Sequence, residues 1–239
     1  MSRLFEELDY CPTPIGTLTL RRRRDARLGV DVYEIKLGDE FLMTSLFTAS
    51  EVALARLGMA ACEAQAPEVV VGGLGLGYTA QAVLAQPGVA DLRVIEYLSP
   101  VIEWHAAGLL PMGTALADEA RCALVEGDFF AMARGAEGFD PARPGRRFDV
   151  ILADIDHAPD HLLDARSDSF YQPPGLRALA RHLKPGGIFG LWSDKLCDRR
   201  FLDRLEAVFD AAWAEPVTFD NPLTGRPFTQ TVYLARAAR

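Results

Sequence analysis

A glycine-rich run, Val71-Gly72-Gly73-Leu74-Gly75-Leu76-Gly77-Tyr78-Thr79, follows a short apolar stretch and precedes a helical pattern. Glycines at alternate positions let a strand turn sharply into a helix and leave bare backbone against which a ligand can lie. Gly73, Gly75 and Gly77 are therefore candidate cofactor-binding residues, although the same turn also occurs where glycines serve only the packing of the chain. Glu96 narrows the choice. It ends the next apolar run, about 20 residues further on, where an acid can accept both hydrogen bonds of a ribose diol. Asp128 closes a third such run, and would either face the adenine end of the same ligand or cap the helix that follows.

The richest chemistry follows the apolar run Val150-Ile151-Leu152-Ala153. There Asp154-Ile155-Asp156-His157-Ala158-Pro159-Asp160-His161 gathers three carboxylates and two imidazoles. Beside a cofactor, such a cluster can hold an ammonium group and take its proton, and a deprotonated amine is the nucleophile that alkyl transfer requires. Asp154, Asp156 and His157 are the catalytic candidates. A divalent ion held by Asp and His side chains and a plain acidic loop are the rivals; without a ligand-spacing signature, no metal is assigned.

These residues need strands to position them. From about residue 68 the pattern is strand, turn, helix, repeated: apolar runs at Val69-Val70-Val71, Leu92 to Glu96, Cys122 to Asp128, Phe148 to Asp154 and Ile188 to Trp192 alternate with helical segments. That order predicts a parallel sheet covered by helices on both faces, a Rossmann-like α/β fold, with ligands beyond the strand C-termini. Helices are expected over 176–183, stopped by Lys184-Pro185-Gly186-Gly187, and over 201–213, with a last strand at 230–235. Residues 1–60 read as a β-rich hairpin region and a leading helix, and 61–239 as the cofactor-binding domain. The loop 135–147, rich in Gly, Pro and Arg, reads as a surface excursion, and Phe219 to Gly225 as a lid or a turn.

Composition bounds the partners. The 239 residues are 49% hydrophobic, enough to bury a core without disulfides or metal, and the four cysteines are scattered without a C-x-x-C pair. A reducing cytoplasm is the expected compartment. Neither an apolar leader segment nor an apolar run near the roughly 20 residues of a membrane span is present, so no membrane association is expected. The net charge of −8 argues against nucleic acid. The one basic run, Arg21-Arg22-Arg23-Arg24, reads as a solvated hairpin tip. Trp104, Tyr171 and Trp192 read as core residues before they read as pocket walls.

Taken in order, these motifs resemble the spermidine synthase family of polyamine aminopropyltransferases, within the class I S-adenosylmethionine fold. The resemblance runs from Ile35-Lys36-Leu37-Gly38-Asp39-Glu40-Phe41 and Ser50-Glu51, through the glycine turn, Glu96, Glu126-Gly127-Asp128, Phe148 to Asp154 and Phe170-Tyr171, to Leu183-Lys184-Pro185-Gly186-Gly187. It implies that Glu96 binds ribose, Asp128 binds adenine, and Asp154 deprotonates the attacking amine; a homodimer is compatible with it. Two departures stand out. Gly75 occupies the place of the family aspartate that holds the amine of decarboxylated S-adenosylmethionine, and Ala49-Ser50 stand near a missing Tyr-His pair. Loss of that aspartate removes the discrimination against a cofactor carboxylate. The reading is therefore methyl transfer from intact S-adenosylmethionine to a small amine. Aminopropyl transfer from the decarboxylated form is the alternative, and a non-catalytic nucleoside-binding module a further one.

Overall fold

The computed structural model describes residues 4–221 and 223–239. Four antiparallel strands come first, β1 (Phe5–Thr13), β2 (Gly16–Asp25), β3 (Val30–Leu37) and β4 (Glu40–Thr44), paired in that order as a meander. The arginine run lies within β2 and not at a hairpin tip. Cross-strand acids hold it there: Arg21 and Arg23 share Glu34 at 2.6 and 2.9 Å, Arg22 reaches Glu6 at 2.7 Å, and Arg24 reaches Asp31 at 3.2 Å. Opposed charges across a ladder stabilise the pairing, so the run is sheet chemistry.

After helix α1 (Ala49–Ala61) the chain alternates as expected: β5 (Glu68–Gly72), α2 (Tyr78–Leu84), β6 (Asp91–Glu96), α3 (Ser99–Ala106), β7 (Cys122–Glu126), α4 (Phe129–Arg134), β8 (Phe148–Ala153), a 3-10 helix (Ala165–Tyr171), α5 (Pro173–Ala180), β9 (Leu183–Ser193), α6 (Arg199–Glu206), β10 (Ala211–Asn221) and β11 (Arg226–Arg236). The seven strands of the second sheet run in the order β10-β11-β9-β8-β5-β6-β7, with β5 to β9 parallel and the β10–β11 hairpin antiparallel at one edge. Alternation along each strand sends Val69, Val71, Val150 and Leu152 to one face and Val70, Ile151 and Ala153 to the other, so the sheet has a core on both sides. Among the described residues, no helix is long and apolar enough to cross a membrane.

Four expectations need correction. The helix expected over 201–213 ends at Glu206, and Trp213 belongs to β10, where pairing with β11 overrides the helix-forming alanines. The helix expected over 176–183 begins at Pro173 and ends at Ala180, because proline at its first turn starts it early. The stop segment that follows is already strand, with Leu183 paired to Phe148. The loop 135–147 is anchored: Phe139 and Asp140 are buried, and Arg146 binds Glu68, Asp91 and Asp140 together. Phe219 to Asn221 and Gly225 belong to the β10–β11 hairpin and its turn, with Pro222 outside the described residues.

Strand order fixes where a site can form. β5 connects outward to β6 on one side and lies against β8 on the other, so the chain reverses direction around β5, and the crevice beyond the strand C-termini opens there. The small sheet closes over that crevice. Trp104 of α3 donates its indole N–H to Asp9 of β1 at 2.6 Å, and Ile15, Ile35, Leu42 and Met43 reach the cavity beneath.

Candidate active site

A cavity of about 280 Å³ lies along the C-terminal ends of β5 to β9. That is close to the lower end of the roughly 300–1,000 Å³ range of small-molecule sites. Gly73, Gly75, Glu96, Asp128, Asp154 and Asp156 all line it. The sequence candidates His157 and Gly77 do not.

The glycine turn requires glycine for two physical reasons. Gly73, Gly75 and Gly77 have φ of 92°, 47° and 91°, in the left-handed region where a side chain is strained. Each position is also blocked: a Cβ on Gly73 would strike the backbone oxygen of Asp154, one on Gly75 the sulfur of Met43, and one on Gly77 Leu116 and the ring of His105. His105, fully buried in α3, holds the turn from behind with Nε2 at 3.0 Å from the Gly75 carbonyl.

Glu96 is 8% exposed, and each of its carboxylate oxygens already accepts one backbone N–H, from Leu74 at 3.0 Å and Leu98 at 2.8 Å. Burial raises its pKa, and those N–H groups hold the rise down. The N–H groups of Gly75 and Tyr97 act on the same carboxylate, which lines the cavity beside the glycine turn. Asp128 caps α4 through Oδ1, which accepts from Ala131 N–H at 3.0 Å, and the residue is otherwise exposed at the cavity wall. Both readings of Asp128 are therefore geometrically compatible: one oxygen caps, the other faces outward.

Asp154 stands just past β8. Thr79 of α2 donates its hydroxyl to Oδ2 at 2.5 Å, while among the described residues Oδ1 accepts no hydrogen bond. Across from it is Glu51 of α1, which sequence reasoning did not select. Glu51 is 8% exposed, lines the same cavity and accepts the Ser50 hydroxyl at 2.8 Å. Burial pushes both carboxyls up, Asp154 to about 6 and Glu51 to about 7, and the charge of Asp154 adds to the rise at Glu51. Among the described residues no cation pairs with either carboxyl, so the site favours a bound proton or a cationic ligand over two bare charges. The only sequence signal for Glu51 was an acid in the first turn of a helix, which ordinarily answers the helix dipole.

The other two catalytic candidates already have partners. Asp156 is 4% exposed and accepts from Leu163 N–H at 2.7 Å, Ser167 Oγ at 3.2 Å and Tyr171 Oη at 2.7 Å, so it pins the loop after β8 to the 3-10 helix. His157 turns away, its Nε2 3.3 Å from Glu40 of β4 and its ring 6.4 Å from that of Trp192. Asp160 is exposed and pairs with Lys195 at 2.8 Å. Among the described residues no three His, Cys, Asp or Glu side chains are grouped to hold a metal ion. Of the three aromatic residues considered, Trp104 and Tyr171 are core, and Trp192 lines the cavity.

Cavity, glycine turn and strand-end acids together invite comparison with known structures. The fold is that of spermidine synthase. A spermidine synthase solved in complex with the transition-state analogue AdoDATO superposes with a TM-score of 0.73 at 18% identity, over 96% of this chain and 73% of that one. The spermidine synthase of Thermotoga maritima gives a TM-score of 0.69 at 18% identity, over 96% of this chain and 72% of that one. No family model matches the sequence. At this identity the likeness is one of fold, with both the small antiparallel sheet and the mostly parallel sheet included in the matched length.

Proposed function

We propose that the chain transfers an aminopropyl group from decarboxylated S-adenosylmethionine to an amine, with Asp154 as the base. The observation that carries this reading is the Glu51–Asp154 pair beside the glycine turn. The two arginines lining the cavity belong to its other end: Arg134 is on α4, beyond Asp128, and Arg166 pairs with Asp164. A donor carboxylate placed near Glu51 and Asp154 meets two acids and no cation, whereas a donor that ends in an ammonium group is attracted.

The donor supplies a carbon made electrophilic by its bond to a sulfonium. Asp154 Oδ1 takes a proton from the acceptor ammonium. The freed nitrogen lone pair forms the new N–C bond as the C–S bond breaks, its electron pair returning to sulfur as a neutral thioether. The raised pKa of Asp154 suits the task, because a base titrating near the working pH combines availability with proton affinity. Thr79 fixes the carboxylate through Oδ2 and leaves Oδ1 for the amine. Glu96 and the glycine turn hold the nucleoside, so the reacting carbon is placed in line and little covalent chemistry is asked of the protein.

One observation favours a second reading, methyl transfer from intact S-adenosylmethionine. No acid stands at Gly75, and the sulfur of Met43 fills the space a side chain there would take. Calorimetric titration with the two donors separates the readings. We expect the decarboxylated donor to bind at least tenfold more tightly; equal or tighter binding of the intact donor transfers the assignment to methyl transfer.

A further inference from the structure

Resting on the reading that an amine is alkylated beside Asp154, the geometry points to an acceptor with a single ammonium group and an apolar body: a primary monoamine with an alkyl or aryl tail, and not a diamine. The sheet order places the strand ends β9, β8, β5, β6 and β7 in a row, so the cavity can be followed along it. Glu96 and Asp128 follow β6 and β7 at the nucleoside end, and Asp154, with Glu51 beside it, follows β8. The small sheet and β9 add Trp192, Ile15, Ile35, Leu42 and Met43 to the lining, Met43 lying against Gly75 of the glycine turn. Neither contributes a carboxylate to it, and Asp156, the lining acid next after Asp154, already accepts from Leu163 N–H, Ser167 Oγ and Tyr171 Oη.

The acids nearest this wall in the chain lie outside the cavity lining. Glu40 neighbours Leu42 and Met43 in β4 but faces His157 at 3.3 Å, and Asp160 is held by Lys195 at 2.8 Å. Asp194, two residues after Trp192, buries Oδ1 without a hydrogen-bond partner and likewise does not reach the cavity. A second ammonium carried into this apolar end loses its water and gains no counter-charge, while methylene or aryl groups there release water from apolar walls. The indole face of Trp192 offers a cation less than the carboxylate a diamine requires. The donor ammonium and one acceptor ammonium together match the two acids, and the wall reads the carbon chain.

The test uses the full chain saturated with methylthioadenosine, the thioether product, and titrates hexylamine and phenethylamine against 1,6-diaminohexane and 1,4-diaminobutane by calorimetry, with transfer from the decarboxylated donor measured in parallel. The expected result is at least tenfold tighter binding of hexylamine than of the six-carbon diamine, with the same order in rate. Equal or tighter binding of the diamine, or no binding of any amine, overturns the inference. The two levels separate cleanly. A monoamine preference in binding without transfer from either donor upholds this inference and removes the alkyltransferase reading; efficient transfer to a diamine upholds that reading and removes this inference.

Discussion

The two ends of the cavity are built on opposite principles. At the end proposed for the nucleoside, Glu96 and Asp128 each spend oxygen lone pairs on backbone N–H groups of their own neighbourhood, from Leu74, Leu98 and Ala131. At the end proposed for the acceptor, Glu51 and Asp154 take hydroxyl donors from Ser50 and Thr79, pair with no cation among the described residues and are pushed up in pKa. The first end is preorganised by secondary structure and shaped whether or not a ligand is bound. The second stores unfavourable electrostatics that a cation relieves, which is how an active site differs from a cap.

The largest expected effect lies at the second end. Asp154→Asn removes the proposed base and keeps the shape, so transfer is expected to fall by roughly 10²–10⁴-fold while the affinity for methylthioadenosine changes little. Single-turnover rates and calorimetry on the same preparation check this. A variant that still turns over at near the parent rate breaks the division of labour between the two ends.

Asp156 tests whether proximity in sequence implies a shared role. Asp156→Ala leaves the Leu163 N–H and the Tyr171 hydroxyl without their buried acceptor, and a loss of about 2–4 kcal/mol in unfolding free energy is expected. Tyr171→Phe, which keeps the carboxylate and removes one donor, is expected to cost less. Urea denaturation orders the two. If instead both variants keep full stability and lose transfer, Asp156 belongs with Asp154 at the acceptor end.

The turn between the two ends is tested by Gly75→Asp, which places an acid where the family resemblance expects one. Its Cβ meets the sulfur of Met43, and overpacking of this kind costs about 1–3 kcal/mol. Combining it with Met43→Ala is expected to recover part of that loss, a positive coupling in a double-mutant cycle. Strict additivity would mean that Met43 and the turn do not share this space in solution.

How much of this was legible follows the same division. Gly73, Gly75, Gly77, Glu96, Asp128 and Asp154 could be placed at strand ends because each lies within one strand-turn-helix unit, and β5 to β9 repeat that unit. Glu51, Thr79, Met43 and Trp192 share the site from separate elements, α1, α2, β4 and β9, and no local pattern joins them. Asp156 and His157 were grouped with Asp154 by adjacency, yet successive residues of a loop project in different directions. The arginines of β2 and the alanines of β10 show a related limit, since their roles are set by the strand across from them.

A smaller effect sharpens the electrostatic contrast. Both Glu51 and Asp154 are raised on folding, so the folded chain binds more protons than the unfolded one between their ordinary values near 4 and their folded values of about 7 and 6. Stability of the unliganded protein is therefore expected to fall as pH rises through that window. Glu51→Gln removes part of the fall, and near pH 8 the variant is expected to match or exceed the parent by on the order of 1–2 kcal/mol. Burial and not Glu51 raises Asp154, which loses its proton first while Glu51 is still neutral, so the acid limb of the rate profile is expected to stay in place. Urea midpoints and rates across pH 5 to about 8.5 report the two consequences separately.

The smallest effect is expected at His157. Its ring faces Glu40 across the gap between the loop after β8 and the small sheet, and it does not line the cavity. An imidazole–carboxylate contact with its carboxylate half exposed is worth about 1 kcal/mol or less. His157→Ala is therefore expected to leave transfer within about threefold of the parent, with a stability loss of about 1 kcal/mol or less. A loss comparable to that of Asp154→Asn would instead bring the imidazole into the acceptor end in the liganded state, and the boundary between the two ends would then run through the small sheet.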